Sequence, residues 1–258
     1  MPILFIAVGD VLVDVLVTGR AHGARVRIEP GGSATRAALA AADAGAEAEL
    51  VGCVGDDPSG RLLAAELAAR GIAASLRVDD VRPTGTFVLV DGEPRVDRGA
   101  NAGFLPQHLP AGLAADVVLV SGHLQPETVS SALERSEAAW TGLTAARLRE
   151  LPAGGDALFL DEGEARALTG LDPEPAAQEL GRRYRLACVT RGVDGVTAAF
   201  DGSVVAVAVP RRVDVARAVG AGDAFAAVTL LALARGEAFR DALEAGCRAG
   251  ALALSRPK

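Results

Sequence analysis

Gly220-Ala221-Gly222-Asp223-Ala224-Phe225 is the most informative stretch of this 258-residue chain. It follows a strand-rich region and precedes a predicted helix over residues 224–235. Backbone N–H groups in a glycine-rich turn at a helix N-terminus point outward, and the helix dipole favours negative charge there. The stretch therefore predicts an anion-binding turn whose carboxylate, Asp223, accepts a proton. An ordinary turn with Asp223 as a helix cap fits the same letters.

Strand-like and helix-like runs alternate outward from this stretch. The predicted strands cover residues 3–8, 11–17, 49–54, 117–120, 157–160, 186–190, 196–200 and 204–209. The predicted helices cover residues 34–44, 60–70, 127–139, 224–235 and 239–254, with a further helix starting near Asp161. Such alternation indicates an α/β fold with a doubly wound, mostly parallel sheet flanked by helices. We expect residues 1–258 to form one domain.

Two segments depart from this alternation. Residues 86–90 and 94–98 read as strands around Asp91-Gly92, a strong short-range hairpin signal. With a strand near residues 24–29, they predict a small β lid built from about 15–30 and 84–98. Residues 140–152 read as helix and loop, so the main sheet is expected to lack a strand there.

Composition limits the kinds of partner. Half of the residues are hydrophobic, the net charge is −7 and the pI is about 5.1. Such a balance argues against nucleic acid and anionic membranes, which attract clustered Lys and Arg. Cys53, Cys188 and Cys247 are far apart and predict buried free thiols. The apolar start runs into Gly9-Asp10 without a basic region, so it predicts a first strand in a cytoplasmic protein.

Three further motifs are open to two interpretations each. Pro30-Gly31-Gly32-Ser33 opens a predicted helix, and Gly55-Asp56-Asp57-Pro58-Ser59-Gly60 follows a predicted strand. Each is an ordinary turn when taken alone. Asp161 and Glu164 lie three residues apart and share one face of a helix. They fit a Mg²⁺ site that acts through waters, and equally a solvated acidic first turn.

Taken in this order, the four motifs resemble the ribokinase-like (PfkB-type) carbohydrate kinase family over nearly the whole chain. The resemblance implies a carboxylate for substrate hydroxyls at Asp14, in the stretch from Gly9. It also implies that Gly31, Gly32 and Asn101 lie on the substrate side and that Thr190, Gly192 and Gly195 lie on the nucleotide side. Asp161 and Glu164 would form a Mg²⁺ site. Gly220, Ala221 and Gly222 would form an anion hole, with Asp223 as the catalytic base. ATP and Mg²⁺ are the implied cofactors, and a homodimer through the lid is the implied assembly.

Several positions differ from the family pattern. Arg36 stands where the family has Asn, and a guanidinium cannot reproduce the paired donor and acceptor of an amide. Arg36 would suit an anionic substrate group, or it is an exposed helical residue. Arg217-Ala218 replaces Asp-Thr, which puts a monovalent-cation site in doubt. His123 lines the pocket or belongs to a solvated loop.

Three functions compete at this point. The leading hypothesis is an ATP-dependent phosphotransferase acting on a hydroxyl of a sugar or related small molecule. The second is a degenerate kinase-fold protein that binds a metabolite or nucleotide without turnover, motivated by Arg36 and Arg217-Ala218. The third, a nicotinamide-dependent oxidoreductase, would need GxGxxG after the first strand, where Gly9-Asp10-Val11 stands instead.

Overall fold

A computed structural model describes residues 2–19, 21–207 and 220–255. Within them, thirteen strands and seven α-helices are defined. The strands are β1 Leu4–Val8, β2 Leu12–Thr18, β3 Arg25–Gly31, β4 Glu47–Gly55, β5 Ala73–Asp79, β6 Gly85–Val90, β7 Glu93–Asp97, β8 Leu113–Ser121, β9 Ser136–Thr144, β10 Ala157–Asp161, β11 Leu186–Thr190, β12 Val196–Phe200 and β13 Ser203–Val207. The helices are α1 Ser33–Asp43, α2 Pro58–Ala69, α3 Pro126–Glu134, α4 Glu162–Thr169, α5 Pro173–Leu180, α6 Ala221–Ala234 and α7 Phe239–Ser255.

The strands form a large sheet and a small one. The large sheet has nine strands in the order β13-β12-β11-β10-β9-β8-β1-β4-β5. The seven strands from β11 to β5 in that order are all parallel to one another. Strand β12 pairs antiparallel with β11, and β13 pairs antiparallel with β12. This confirms the predicted doubly wound, mostly parallel sheet. The small sheet, with order β3-β2-β6-β7, is the predicted lid.

The large sheet is buried on both faces. Along β1, Phe5 and Ala7 join one core cluster, whereas Ile6 and Val8 join the other. Helices α1, α2, α6 and α7 cover the first face, and α3, α4 and α5 cover the second. Strands covered on both sides need apolar residues at every position, which is why they read as continuous apolar runs.

The segment after α3 corrects a sequence prediction. Helix α3 ends at Glu134, and Ser136–Thr144 forms β9 in the middle of the sheet, between β8 and β10. The predicted helix end at residue 139 and the predicted missing strand are therefore wrong. Burial of Trp140 and Leu143 in the sheet overrides the helical preference of the alanines before them. Strand β5 and helix α5 were not predicted either.

The lid hairpin forms as its sequence predicts. Asp91 and Gly92 have φ angles of 48° and 90°. Positive φ at both central residues is the type I′ geometry, which matches the twist of the flanking strands.

The cysteines also lie as predicted, since Cys53, Cys188 and Cys247 are buried and free. Burial raises the pKa of the Cys53 and Cys247 thiols to about 11. Within the described ranges, no helix is long and apolar enough to cross a membrane.

The Gly55–Gly60 stretch joins the core to the lid. The carboxylate of Asp57 accepts hydrogen bonds from the Gly60 amide at 2.8 Å and from the amide and hydroxyl of Thr84, both at 2.7 Å. The Thr84 hydroxyl accepts from the Gly55 amide at 2.9 Å, directly before β6 begins. Burial pushes the pKa of Asp57 upward, but these hydrogen bonds outweigh burial and hold it below its usual value. One carboxylate thus caps α2 and anchors the lid.

Replacing this carboxylate should destabilise the fold. We expect Asp57→Ala to lower the free energy of unfolding by about 1–3 kcal/mol, because a helix cap and two further hydrogen bonds are lost together. Asp56→Ala is the matched control, since the Asp56 side chain is 69% exposed and its loss should cost about 0.5 kcal/mol or less. Urea denaturation of both variants measures the difference. Equal losses would show that the Asp57 network contributes nothing.

Candidate active site

The Gly220–Asp223 stretch forms the start of α6. Gly220 is the N-cap residue, with a left-handed φ of 94°, and Asp223 is the third helical residue. Within the described ranges, the amides of Ala221, Gly222 and Asp223 have no hydrogen-bond acceptor. A Cβ added at Gly222 would meet no described atom within 4 Å. Amides with no acceptor among the described residues, at a helix N-terminus, are suited to an anionic group such as a phosphate.

Asp223 does not cap its own helix. Its Oδ1 accepts a hydrogen bond from the Ser33 hydroxyl at 2.5 Å, and its Oδ2 lies 3.4 Å from Arg36 Nε. Ser33 is the first residue of α1, directly after Gly31-Gly32. Two predicted motifs that are 190 residues apart therefore meet at one carboxylate. The sequence pattern indicates Ser33 only as part of a turn that opens a helix, and it does not predict the contact of Ser33 with Asp223.

Asp14 lies on the lid side of the same site. Its side chain, on β2, is 4% exposed, and Oδ2 lies 3.5 Å from Arg36 Nη1. Gly31, at the end of β3, is packed against it, so that any Cβ there would overlap the Asp14 carboxylate. Gly32 follows with φ 93° and is the N-cap of α1. The predicted Gly-Gly turn therefore lets a carboxylate approach the backbone.

Arg36 lies between the two carboxylates. It projects from α1, and its side chain is 19% exposed. This placement does not fit the alternative of an exposed helical arginine. Gly220 leaves room for it, because a Cβ at Gly220 would be 2.7 Å from Arg36 Cδ.

Asn101 is fully buried, and the backbone occupies its amide. Oδ1 accepts from the Val11 amide at 2.9 Å, while Nδ2 donates to the carbonyls of Val11 at 2.9 Å and Arg98 at 3.1 Å. Both Nδ2 protons are therefore used. The structure shows Asn101 tying the end of the lid to the start of β2, and its predicted contact with substrate stays a prediction.

Asp10, Arg98 and His123 form a polar cluster that the sequence did not assign to the site as a unit. Asp10 follows β1 and is 5% exposed. Its Oδ1 accepts from Arg98 Nη2 at 3.0 Å. His123 follows β8, the strand beside β1. Burial lowers the pKa of His123, whereas the charges of Asp10 and Asp223 raise it. The sequence does carry one signal for this cluster: Asp10 and His123 each follow a predicted strand, and residues that follow neighbouring parallel strands meet at the same sheet edge.

The residues implied for the nucleotide lie farther along the same edge. Thr190 ends β11 opposite Asp161 at the end of β10, and its hydroxyl donates to the Leu160 carbonyl at 3.3 Å. Gly192 and Gly195 have φ angles of 53° and 92° and shape the turn that follows. The structure therefore brings Thr190 and Asp161 side by side.

Asp161 and Glu164 form a reciprocal capping box. Asp161 Oδ1 accepts from the Glu164 amide at 2.8 Å, and Glu164 Oε2 accepts from the Asp161 amide at 2.9 Å. Burial raises the pKa of Glu164 to about 7, with the charges of Asp161 and Asp223 adding to the rise and the hydrogen bond opposing it. No set of three or more His, Cys, Asp or Glu among the described residues could hold a metal. The pair fits Mg²⁺ only as one or two carboxylates that complete a phosphate-bound ion.

Arg217-Ala218 lies outside the described residues. That this replacement disrupts a monovalent-cation site therefore stays a prediction.

Comparison with known proteins identifies the family. The sequence model of the pfkB family of carbohydrate kinases matches residues 5–258. The chain belongs to this family. It is 31% identical to a fructokinase from Klebsiella pneumoniae, covering 88% of this chain and 83% of that one.

It is also 31% identical to the bifunctional protein HldE of Azorhizobium caulinodans, over 96% of this chain but only 60% of that protein's length. A ribokinase from Thermotoga maritima superposes with a TM-score of 0.85 at 22% identity, over 100% of this chain and 94% of that one. The ribokinase-like fold is thus confirmed. Membership of a carbohydrate kinase family excludes the nicotinamide-dependent alternative.

The raised pKa of Glu164 predicts a pH-dependent stability. The unfolded carboxyl ionises near 4.5 and the folded one near 7, so the unfolded chain releases the proton first. The contribution of Glu164 is therefore fully present below about pH 4.5 and is lost as the pH rises through about 7. Glu164→Gln keeps an acceptor for the Asp161 amide and removes the titration. Its melting temperature relative to wild type should rise between about pH 5 and about pH 8.

Glu162→Gln is the control, because Glu162 is exposed in the first turn of the same helix. Its melting temperature relative to wild type should be nearly constant over the same range. Scanning calorimetry measures both variants. A constant offset for Glu164→Gln would contradict a pKa near 7.

Proposed function

We propose that this protein transfers the γ-phosphoryl group of ATP to a hydroxyl of a sugar or related small molecule, with Asp223 as the base. One observation carries the proposal: Asp223 stands in the first turn of α6, beside three amides that have no described acceptor. Family membership supports a kinase. The use of ATP and the nature of the acceptor are our own inference.

The chain offers groups for a nucleotide and its cation. The amides of Ala221 and Gly222 would hold phosphate oxygens, and Thr190, Gly192 and Gly195 would line the nucleotide side. Asp161 and Glu164 would reach Mg²⁺, directly or through waters. Bound ATP with Mg²⁺ supplies the phosphoryl group and part of the neutralising charge.

Asp223 is oriented to receive a proton. The Ser33 hydroxyl fixes Oδ1, and Oδ2 lies 3.4 Å from Arg36 Nε, beyond ordinary hydrogen-bond length. Oδ2 therefore keeps a lone pair for the acceptor hydroxyl, whose proton it takes as that oxygen attacks. Asp14 would orient a neighbouring hydroxyl, and the amides of α6 would stabilise the charge on the transferred group.

The lid excludes water from this reaction. Asp14 lies on β2, so a closing lid would bring the hydroxyl-binding carboxylate and the cover together. Water competes with the acceptor for the phosphoryl group, and closure suppresses that loss. We propose that Asn101 contributes by holding the end of the lid on Val11.

A binding protein without turnover is the second candidate. Arg36 favours it, because its guanidinium lies beside both carboxylates that the transfer reaction needs. Calorimetric binding of a sugar or nucleotide, without transfer to any acceptor, would support this candidate. The predicted cytoplasmic location, and the predicted lack of nucleic-acid or membrane partners, stay predictions.

Removing the proposed base separates the two candidates. We expect Asp223→Asn to lower the rate of transfer by about 10²–10⁴-fold, the usual contribution of a general base. Nucleotide affinity should change only a few-fold, because the α6 amides are kept. A coupled ADP-release assay and nucleotide titration calorimetry measure the two effects.

Asp241→Asn is the matched control, since Asp241 is an exposed carboxylate in the first turn of α7. Its transfer rate should equal that of wild type. Near-normal activity of Asp223→Asn would rule out Asp223 as the base.

We also propose that a second copy of the chain covers the outer face of the lid. Val26 and Ile28 are 57% and 61% exposed, and Val90 is 38% exposed. They share a face with Val15 and Val17, their partners across the strands. On the same face, β7 adds the exposed side chains of Glu93 and Arg95, which lie opposite Val90 and Val88 and carry opposite charges. An identical apolar face is self-complementary about a two-fold axis.

A charge on this face should break the pairing. We expect wild type to sediment as a dimer and Ile28→Glu as a monomer, because an unpaired carboxylate would be buried in the interface. Val81→Glu is the control, since Val81 is 81% exposed and lies outside the lid strands. Sedimentation velocity distinguishes the species. A monomeric wild type at micromolar concentration would disprove this assembly.

A further inference from the structure

Arg36 is held by charge but is poorly hydrogen-bonded. Its Nη1 lies 3.5 Å from Asp14 Oδ2, and its Nε lies 3.4 Å from Asp223 Oδ2. Charge-assisted hydrogen bonds of this kind are usually about 2.7–2.9 Å long. In the part of the chain that the structure describes, Nη2 has no hydrogen-bond partner. A guanidinium with five donors therefore has most of its donor capacity unused.

The proposed reaction needs the carboxylates that balance Arg36. An acceptor hydroxyl that donates to Asp223 Oδ2, with a neighbouring hydroxyl on Asp14, competes for the oxygen atoms that Arg36 faces. The Arg36 side chain is four-fifths buried, and a guanidinium deprived of its anions there is unfavourable. A neutral sugar provides no new anion. A sugar that carries an anionic group does.

Space for such a group borders Arg36. A cavity of about 900 Å³ is lined by Arg36, Asp14 and Gly220. This volume lies at the upper end of small-molecule sites, so a sugar with an additional charged group fits. The other charged residues of the lining are the basic Arg27, Arg70 and Arg248 and the acidic Glu29 and Asp43.

We propose that the acceptor is an anionic sugar, whose phosphate or carboxylate group binds the Arg36 guanidinium. The proposal rests on the proposed function and deepens it. Arg36 selects the acceptor because a planar fork of N–H donors binds phosphate or carboxylate through two hydrogen bonds, which an amide at this position cannot do. Asp14 and Asp223 are then left to the hydroxyl groups.

Acceptor preference tests this selection. Wild-type protein is assayed with ribose and fructose, with ribose 5-phosphate and fructose 6-phosphate, and with gluconate. We expect kcat/KM for at least one anionic sugar to exceed that for the neutral sugars by about tenfold or more. The phosphate and carboxylate arms show which anion is preferred.

Variants of Arg36 make the test specific. Arg36→Asn should lower kcat/KM for the anionic sugar by about tenfold or more, mainly through KM, and change it less for the neutral sugars, so that the ratio of anionic to neutral kcat/KM falls. Arg36→Lys keeps the charge and should retain part of the preference. Arg61→Asn is the matched helical control, because Arg61 is 67% exposed and its ion pair among the described residues is with exposed Asp56. It should match wild type.

Binding measured without nucleotide keeps this proposal separate from the proposed function. In calorimetry, the anionic sugar should bind wild type and lose affinity in Arg36→Asn. That result supports selection by Arg36 even if no acceptor is phosphorylated, an outcome that would defeat the proposed function alone. A wild type that binds no sugar anion overturns the inference. So does an Arg36→Asn variant that weakens neutral and anionic sugars equally, because Arg36 would then act only by positioning the carboxylates.

Discussion

The contact between the first turns of α1 and α6 is the interaction on which this site depends. The Ser33 hydroxyl, at the start of α1, donates to Asp223 in the first turn of α6. The two helices approach closely because α1 presents small residues such as Ala34, Ala37 and Ala41 to the core. Gly220 adopts a left-handed conformation that leaves room for Arg36. Helix packing thereby places a carboxylate beside amides that have no acceptor in the described part of the chain, and the proposed chemistry depends on that placement.

The second constraint is the parallel sheet. Its strands end at one edge, and the side chains that follow them meet there although they are far apart in sequence. Asp10 follows β1, His123 follows β8, and Thr190 is the last residue of β11. The lid is attached to the same edge by two polar networks, the half-buried one of Asp57 with Thr84 and the buried one of Asn101 with Val11. Because these networks use backbone groups on both sides, the lid is joined to the sheet edge in a defined register.

Local patterns predicted the parts of this molecule that local physics determines. Apolar runs indicated the doubly covered strands, and Asp91-Gly92 indicated the hairpin, because those residues adopt the required φ angles. Strand β9 was missed since its alanines favour a helix until Trp140 is buried in the sheet. Strand β5 was missed because most of its side chains are exposed at the sheet edge. The Asp10–Arg98 ion pair joins residues 88 positions apart, and no spacing rule anticipates it.

Electrostatics explains why an acidic site fits a chemistry that handles polyanions. Asp14 and Asp223 face the same arginine, and the charges of Asp161 and Asp223 act on Glu164, so the repulsion among these carboxylates must be offset. The chain offsets it in two ways: Arg36 lies between the first two, and burial raises the pKa of Glu164 to about 7. A cation that arrives with a nucleotide would favour the ionised form of Glu164.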